Sequence, residues 1–161
     1  MSSVAIITGA SQRIGRSTAI RLARDFPAIV LAARNADALR ETGESVKTAG
    51  AEPFLCALDL SKVESAKELV KKTLDRFGRI DALLNIAGAV TQIDLFEMTD
   101  EQWRDGMELK LHGARRVTIF AWDALKKSKG SVVFTSGSAA LDPKPAFAAV
   151  AATKCCHHGS C

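Results

Sequence analysis

The chain has 161 residues and a formal net charge of +4; 47% of its residues are hydrophobic and 25% are charged. This composition is ordinary for a soluble globular protein, and a chain of this length can bury a substantial core. Basic residues alternate with acidic ones, as in Arg24-Asp25, and form no basic stripe interleaved with aromatics, which argues against nucleic-acid binding. No apolar run approaches the ~20 residues that cross a bilayer, so no membrane partner is expected.

The N-terminus and the cysteines predict location and metal content. Met1–Ser3 leads directly into an apolar strand without the features of a secretory signal, so we expect a cytoplasmic protein. Cys56 lies in an apolar strand and is predicted to be a small buried hydrophobe. The other cysteines and two histidines crowd residues 155–161, where adjacent ligands without a second spaced pair only weakly indicate a metal site. We therefore predict no metal, with that cluster as the alternative.

A strand, a glycine turn and a helix open the chain. Val4–Ile7 is a continuous apolar run, typical of a strand buried on both faces, and a helix is predicted from about Ile14 to Arg24. Between them, Gly9 allows a tight turn and Gly15 allows the helix to pack closely on the strand, so the helix N-terminus could hold a pyrophosphate. The alternative is an ordinary turn between strand and helix.

The later elements repeat this alternation. Further strands are predicted over Ala28–Ala33, Pro53–Leu58, Ile80–Ile86 and Ser131–Ser136, with a helix over Ala36–Lys47 after the second strand and a last one starting near Phe147. Capping boxes at Ser61–Glu64 and Thr99–Gln102 predict the starts of two more helices, the first ending at Gly78. The second is expected to bury Trp103, Met107, Leu111, Ala114, Thr118, Ala121 and Leu125. The alternation predicts one α/β domain over residues 1–161, with right-handed crossovers and a parallel sheet covered by helices on both faces.

Five segments, in this order, carry a family resemblance. Thr8–Gly15 resembles a TGxxxGIG loop in which Arg13 replaces the middle glycine, Asp59-Leu60 an acidic position after the third strand, and Asn85–Gly88 an NNAG segment. Thr135–Ser138 resembles a strand end that carries a catalytic serine, and Val150–Lys154 stands where a YxxxK motif belongs. Together they resemble the short-chain dehydrogenase/reductase family over the whole chain.

The resemblance implies a cofactor and a reaction. Members of that family move a hydride between a nicotinamide cofactor and a carbonyl or alcohol substrate, which implies a small-molecule partner here. The implied catalytic residues are Ser138, which orients the carbonyl, and Lys154, which holds the nicotinamide ribose. The implied cofactor-binding residues are Gly9, Ser11, Gln12, Arg13, Ile14, Gly15, Arg34, Asp59, Leu60, Asn85, Ala87, Gly88 and Lys154. Asp59 would contact adenine, or alternatively cap the approach to the next helix.

Arg34 bears on the choice of cofactor. It directly follows the second strand, where the ribose 2′ position of a bound cofactor would lie, and Arg13 adds a nearby cation. An acidic residue there would accept from a 2′-hydroxyl, whereas an arginine attracts a 2′-phosphate. The sequence therefore favours NADP(H) over NAD(H), the alternative being two arginines with only a surface role.

Two catalytic positions depart from the family pattern. Val150 stands in place of the tyrosine that acts as general acid, and the chain contains no tyrosine at all. Lys110 stands in place of an asparagine that organises a proton-relay water. We hypothesise that Lys110 contributes a charge to the pocket by activating water or polarising the carbonyl; the alternatives are a surface position or a contact with cofactor.

The resemblance also implies elements that we do not expect in these 161 residues: strands six and seven, the substrate loop and the usual oligomer-interface helices. We therefore expect a Rossmann-type doubly wound parallel sheet that is truncated after the fifth strand, with that strand as a long apolar edge. The sequence leaves it undecided whether the protein forms a homo-oligomer. Three functions follow: an NADP(H)-dependent oxidoreductase, a nucleotide-binding protein or truncated pseudo-enzyme without turnover, and an interaction module.

Overall fold

Strands and helices alternate along the chain. The computed structural model describes residues 3–88, 93–142 and 151–152. Its strands are β1 (Val4–Thr8), β2 (Ala28–Ala33), β3 (Glu52–Ala57), β4 (Ala82–Asn85) and β5 (Ser131–Phe134). Its helices are α1 (Arg13–Leu22), α2 (Ala36–Thr48), α3 (Val63–Phe77), α4 (Asp100–Met107) and α5 (Ala114–Ser128). A π-helical segment, Glu108–Gly113, joins α4 to α5, and a 3₁₀ turn covers Ser138–Ala140.

The described strands form one parallel sheet in the order β3-β2-β1-β4-β5. The chain starts in the middle at β1, moves outward to β3, and then returns to the other side of β1 as β4. Such a reversal of direction creates a crevice at the carboxyl ends of the strands, where ligands bind in doubly wound folds. The predicted Rossmann-type fold class is confirmed.

Helices cover both faces of the sheet. In β1, Val4 and Ile6 belong to the core shared with α3 and α5, while Ala5 and Ile7 belong to the core shared with α1 and α2. Alternate side chains of one strand therefore enter different cores, which explains why β2 is apolar at every position and why β1 and β4 are apolar up to their last residues, Thr8 and Asn85. Cys56 is buried as predicted, and burial raises the pKa of its thiol to about 11.

The helix that begins after Thr99 differs from its prediction. The capping box is confirmed, with Thr99 and Gln102 each binding the other's backbone amide. The predicted set of buried side chains is partly wrong. Three of them are buried, Ala114, Ala121 and Leu125, whereas four are only half-buried: Trp103, Met107, Leu111 and Thr118. Gly106, Lys110, Gly113 and Val117 are buried instead. Apolar spacing could not reveal this face because it contains two glycines and a lysine.

The predicted capping box at Ser61 is wrong. The N-terminal cap of α3 is Lys62, which makes no side-chain capping bond, and the strand before it ends at Ala57 rather than Leu58. The Ser61 hydroxyl instead donates to Asp59 Oδ1 at 2.8 Å. The Ser61 hydroxyl therefore binds a carboxylate two residues away, and not the helix backbone that the capping pattern predicts.

Several sequence predictions fall outside the described residues. These are the start of the last helix near Phe147, the catalytic positions Val150 and Lys154, and the cysteines and histidines of residues 155–161. Ala151 and Ala152 are described as helical. In the described ranges, no helix is both long and apolar enough to span a membrane. Those ranges also contain no group of three His, Cys, Asp or Glu side chains suited to a metal.

Candidate cofactor and active site

An open cleft of about 520 Å³ lies at the carboxyl ends of β1, β2 and β4. Nine of the predicted cofactor-binding residues line it: Gly9, Ser11, Gln12, Arg13, Ile14, Arg34, Leu60, Ala87 and Gly88. Six lining residues were not predicted: Ala32, Ala33, Asn35, Leu58, Ile86 and Leu109. Most of these directly flank a predicted residue, so the ends of the predicted strands were the signal that would have found them.

The two glycines of the first loop make close backbone contacts. Gly9 has a φ of +70°, and a Cβ atom there would lie 2.8 Å from the Ala87 Cα atom. A Cβ atom at Gly15 would lie 2.1 Å from the Gly9 carbonyl oxygen. Gly9 therefore brings the loop against the segment after β4, and Gly15 brings α1 against the loop. Gly15 itself lies behind the cleft wall.

Arg13 occupies the position of the missing middle glycine. Its φ is +48°, in the left-handed region that favours glycine. The loop thus keeps the backbone conformation that glycine would adopt most easily, and carries an exposed guanidinium on it. The exchange places a positive charge at the cleft at the cost of backbone strain.

The N-terminus of α1 presents open hydrogen-bond donors to the cleft. Its cap residue, Gln12, makes no side-chain capping bond, and the first turn contains no acidic residue. The first amides of a helix have no partner within the helix, and the helix dipole is positive at this end. Because Gln12, Arg13 and Ile14 line the cleft, these donors suit a bound anion such as a pyrophosphate.

Arg34 and Asp59 lie at the β2–β3 side. Arg34 follows β2, is exposed and lines the cleft, and its charge acts on Asp59. Partial burial raises the pKa of Asp59, but the hydrogen bonds from the Ser61 hydroxyl and amide and the charge of Arg34 outweigh it and lower the pKa. Asp59 does not line the cleft, and its Oδ1 atom holds the turn at Ser61. These contacts close the turn that precedes α3, and contact of Asp59 with adenine stays a prediction.

Thr8 joins the end of β1 to the segment after β4. Its Oγ1 atom donates to the Leu84 carbonyl and accepts from the amides of Ile86 and Ala87 at 3.0 and 3.1 Å. Sequence reasoning assigned it no role of its own. Its position directly before Gly9 could have indicated a role, because a buried hydroxyl at a strand end can bind the backbone of the neighbouring strand.

Asn85 has a structural environment behind the cleft wall. It is 1% exposed, its Nδ2 atom donates to Thr118 Oγ1 at 3.2 Å, and its carbonyl accepts from the Thr135 amide and hydroxyl. Asn85 Oδ1 is buried without a partner among the described residues. These contacts connect β4 with α5 and with the end of β5, so Asn85 holds elements that border the site.

Lys110 and Ser138 lie on the β5 side. Lys110 is 7% exposed, so the surface alternative for this residue is wrong, and its Nζ atom donates to Thr135 Oγ1 at 2.6 Å. Ser138 is exposed and begins the 3₁₀ turn three residues after Thr135. The structure thus places a buried amine beside the segment that leads to the candidate catalytic serine.

Comparisons with known proteins agree with this geometry. The sequence profile described as short chain dehydrogenase matches residues 3–160. The chain belongs to the short-chain dehydrogenase family. It is 35% identical over 153 residues to 11-beta-hydroxysteroid dehydrogenase A of Sesamum indicum, covering 94% of this chain and 44% of that protein. The predicted family is confirmed.

Solved structures of similar proteins share the fold. An alcohol dehydrogenase from the archaeon Thermococcus sibiricus, complexed with 5-hydroxy-NADP, has a TM-score of 0.91 and 35% identity, covering 98% of this chain and 67% of that one. A xylitol dehydrogenase bound to NAD⁺ has a TM-score of 0.89 and 28% identity, covering 98% of this chain and 60% of that one. The chain spans between 44% and 64% of the length of the first curated relatives that it matches.

Proposed function

We propose that this short-chain dehydrogenase is an NADP(H)-dependent oxidoreductase that acts on a carbonyl or alcohol substrate. The observation that carries the proposal is the cleft, in which the open N-terminus of α1 lies with Arg13 and Arg34. The pyrophosphate of NADP(H) would lie at the helix N-terminus, and its 2′-phosphate would lie near the two arginines.

The preference for NADP(H) rests on the charges beside β2. One of the similar solved structures is titled as a complex with 5-hydroxy-NADP and another as bound to NAD⁺, so similarity alone does not favour either cofactor. Arg34 and Arg13 line the cleft, and a guanidinium fits a phosphate with two parallel hydrogen bonds. The 2′-phosphate is the group that distinguishes the two cofactors.

Ser138 and Lys154 supply the catalytic roles in this proposal. When bound, the cofactor supplies or accepts the hydride. Ser138 holds the substrate oxygen and Lys154 holds the nicotinamide ribose, while the proton comes from water or Lys110. Val150 cannot donate a proton, and losing a general acid typically costs about 10²–10⁴-fold in rate.

Val150 also supports a second candidate, a nucleotide-binding protein without turnover. The valine removes the side chain that protonates the substrate oxygen, and the chain has no tyrosine to replace it. None of the groups proposed to bind cofactor is affected by this change. The two candidates therefore differ in catalysis and agree in binding.

Titration with NADPH and NADH, followed by thermal stability and by calorimetry, tests the binding proposal. We expect saturable binding with NADPH preferred, and Arg34→Asp should weaken NADPH binding about tenfold or more while changing NADH binding little. Arg24→Asp is the matched control, because Arg24 is exposed beyond the end of α1 and does not line the cleft. The proposed contact between Arg34 and the 2′-phosphate would be contradicted if Arg34→Asp lowered the affinity for NADPH and NADH equally, or if Arg24→Asp lowered the NADPH affinity as much as Arg34→Asp.

A hydride-transfer assay separates the two candidates. Oxidation of NADPH is followed by absorbance with a panel of small ketones and aldehydes, with Ser138→Ala as the comparison. Turnover that Ser138→Ala lowers supports the oxidoreductase. Cofactor binding with no turnover supports the second candidate, and a cooperative melt with no cofactor binding removes both.

A further inference from the structure

Lys110 is a buried cation at the inner border of the cleft. It lies in the π-helical segment Glu108–Gly113, is 7% exposed, and donates to the Thr135 hydroxyl. Insertions of π-helical geometry are rare and often occur at functional sites. The segment therefore carries an amine to the inner border of the cleft.

The side chain of Lys110 crosses directly behind the wall of the cleft. A Cβ atom at Gly88 would lie 2.9 Å from the Lys110 Cδ atom, so the lysine stem packs on the face that glycine leaves open. Gly88 lines the cleft on the β4 side, as does Leu109, the neighbour of Lys110. The amine therefore reaches Thr135, after β5, by passing the β4 end of the cleft.

The topology assigns the nicotinamide to this same end. Arg34 follows β2, the N-terminus of α1 follows β1, and β4 and β5 continue the sheet in that direction. A dinucleotide with its 2′-phosphate at Arg34 and its pyrophosphate at α1 must extend its second nucleoside across β4 towards β5. Strands lie about 4.8 Å apart, so this path brings the nicotinamide close to Gly88 and Lys110.

We propose that Lys110 makes the chain discriminate between the two redox states of its cofactor, binding NADPH more tightly than NADP⁺. The nicotinamide ring carries a unit positive charge when oxidised and is neutral when reduced, whereas the phosphates are the same in both forms. A nearby ammonium therefore opposes the oxidised ring. For two unit charges some 10 Å apart near a protein surface, the effect is on the order of tenfold in Kd.

This inference rests on the proposed function, because it requires a nicotinamide in the cleft. It also predicts the direction of the reaction, because a chain that binds the reduced cofactor tightly and releases the oxidised one is suited to carbonyl reduction. The asparagine that the family resemblance implies at this position carries no charge, so the discrimination belongs to this chain's own substitution.

Equilibrium binding tests the inference without a substrate. Kd values for NADPH and NADP⁺ are measured by calorimetry at one ionic strength, for the unaltered chain and for Lys110→Met, Lys110→Gln, Lys110→Arg and Thr135→Val, after each is shown to melt cooperatively. The unaltered chain should prefer NADPH. Removing the charge should shrink the ratio of the two Kd values about tenfold, through tighter NADP⁺ binding, whereas Lys110→Arg and Thr135→Val, which keep a cation, should largely preserve it.

The outcomes distinguish this inference from the proposed function. If the unaltered chain binds neither cofactor, the proposed function fails. If it binds both without preferring NADPH, or if Lys110→Met or Lys110→Gln leaves the ratio unchanged, the inference is overturned while the proposed function stands. Two neutral variants are included because Lys110 is buried, so that a folding defect in one leaves the other to decide.

Discussion

Gly15 shows how a single hydrogen atom in place of a side chain determines the geometry of the site. A Cβ atom there would lie 2.1 Å from the Gly9 carbonyl oxygen and 3.1 Å from the Ala10 Cα atom. These neighbours are backbone atoms of a loop that is itself held by the Gly9 amide on the Ala32 carbonyl, at 2.8 Å. The backbone can give way only by moving α1 from the sheet.

Gly15→Ala should lower the free energy of unfolding by about 1–3 kcal/mol, the range for an over-packed site, and weaken NADPH binding. Gly43→Ala is the matched control, because its Cβ atom would meet side-chain atoms and no backbone: the Leu55 Cδ2 atom at 3.0 Å and the Pro53 Cβ atom at 3.7 Å. Alanine also favours the helix. Urea denaturation measures both. Equal stability losses in the two variants would show that Gly15 is not a steric requirement.

At the scale of elements, β1 is joined to β4 at both of its ends. Thr8 binds the segment after β4, and at the other end Asp81 Oδ2 accepts from the Val4 amide at 2.8 Å. Asp81 also accepts from the guanidinium of Arg79 at 2.9 and 2.6 Å. These links hold together the two strands that flank the crevice, so the switch point has a defined width.

Asp81→Asn should lower the free energy of unfolding by about 1–2 kcal/mol at pH 7, because a charged acceptor is lost. Partial burial raises the pKa of Asp81, but the hydrogen bonds from Arg79 and Val4 and the charge of Arg79 outweigh it, so the folded pKa lies below the ordinary 3.8. The ionised form is therefore stabilised by folding. Its contribution is complete above pH 3.8 and is lost as the pH falls through the folded value.

Urea denaturation between pH 7 and pH 2 measures this difference, which should shrink only in the acidic part of the range. Asp25→Asn is the control, because Asp25 forms an exposed pair with Arg21. A pH-independent difference for Asp81→Asn would indicate that the loss comes from packing and not from the charge.

On the scale of the whole molecule, the described sheet has an exposed edge at β5. Val133 and Phe134 are 46% and 38% exposed, and the neighbouring helix α5 exposes Ile119 and Trp122. A strand at an edge presents unpaired backbone groups to other chains. Among the described strands β5 is the last one on this side of the sheet, and its four residues make it shorter than the long edge that the sequence predicts.

The chain should therefore self-associate as its concentration rises, and Val133→Lys should reduce the association by placing a charge on the edge. Ile119→Lys adds the same charge on α5, where the side chain is 52% exposed. Sedimentation velocity over a range of concentrations measures both variants. A larger effect of Ile119→Lys would assign the contact to the helix face instead of the strand edge.

The sequence by itself determined the alternation of strands and helices, the glycine turn between β1 and α1, and the family, because apolar periodicity and turn residues are local signals. Only the tertiary structure decided which side chains those elements bring together. Lys110 meets Thr135, Asn85 meets Thr118, and Ser61 turns to Asp59 instead of its helix. The first two contacts join residues far apart in the chain. The third depends on where the Asp59 carboxylate lies after the end of β3. The inward direction of a lysine has no periodic signature, since it is set by Gly88 and Thr135 across the site.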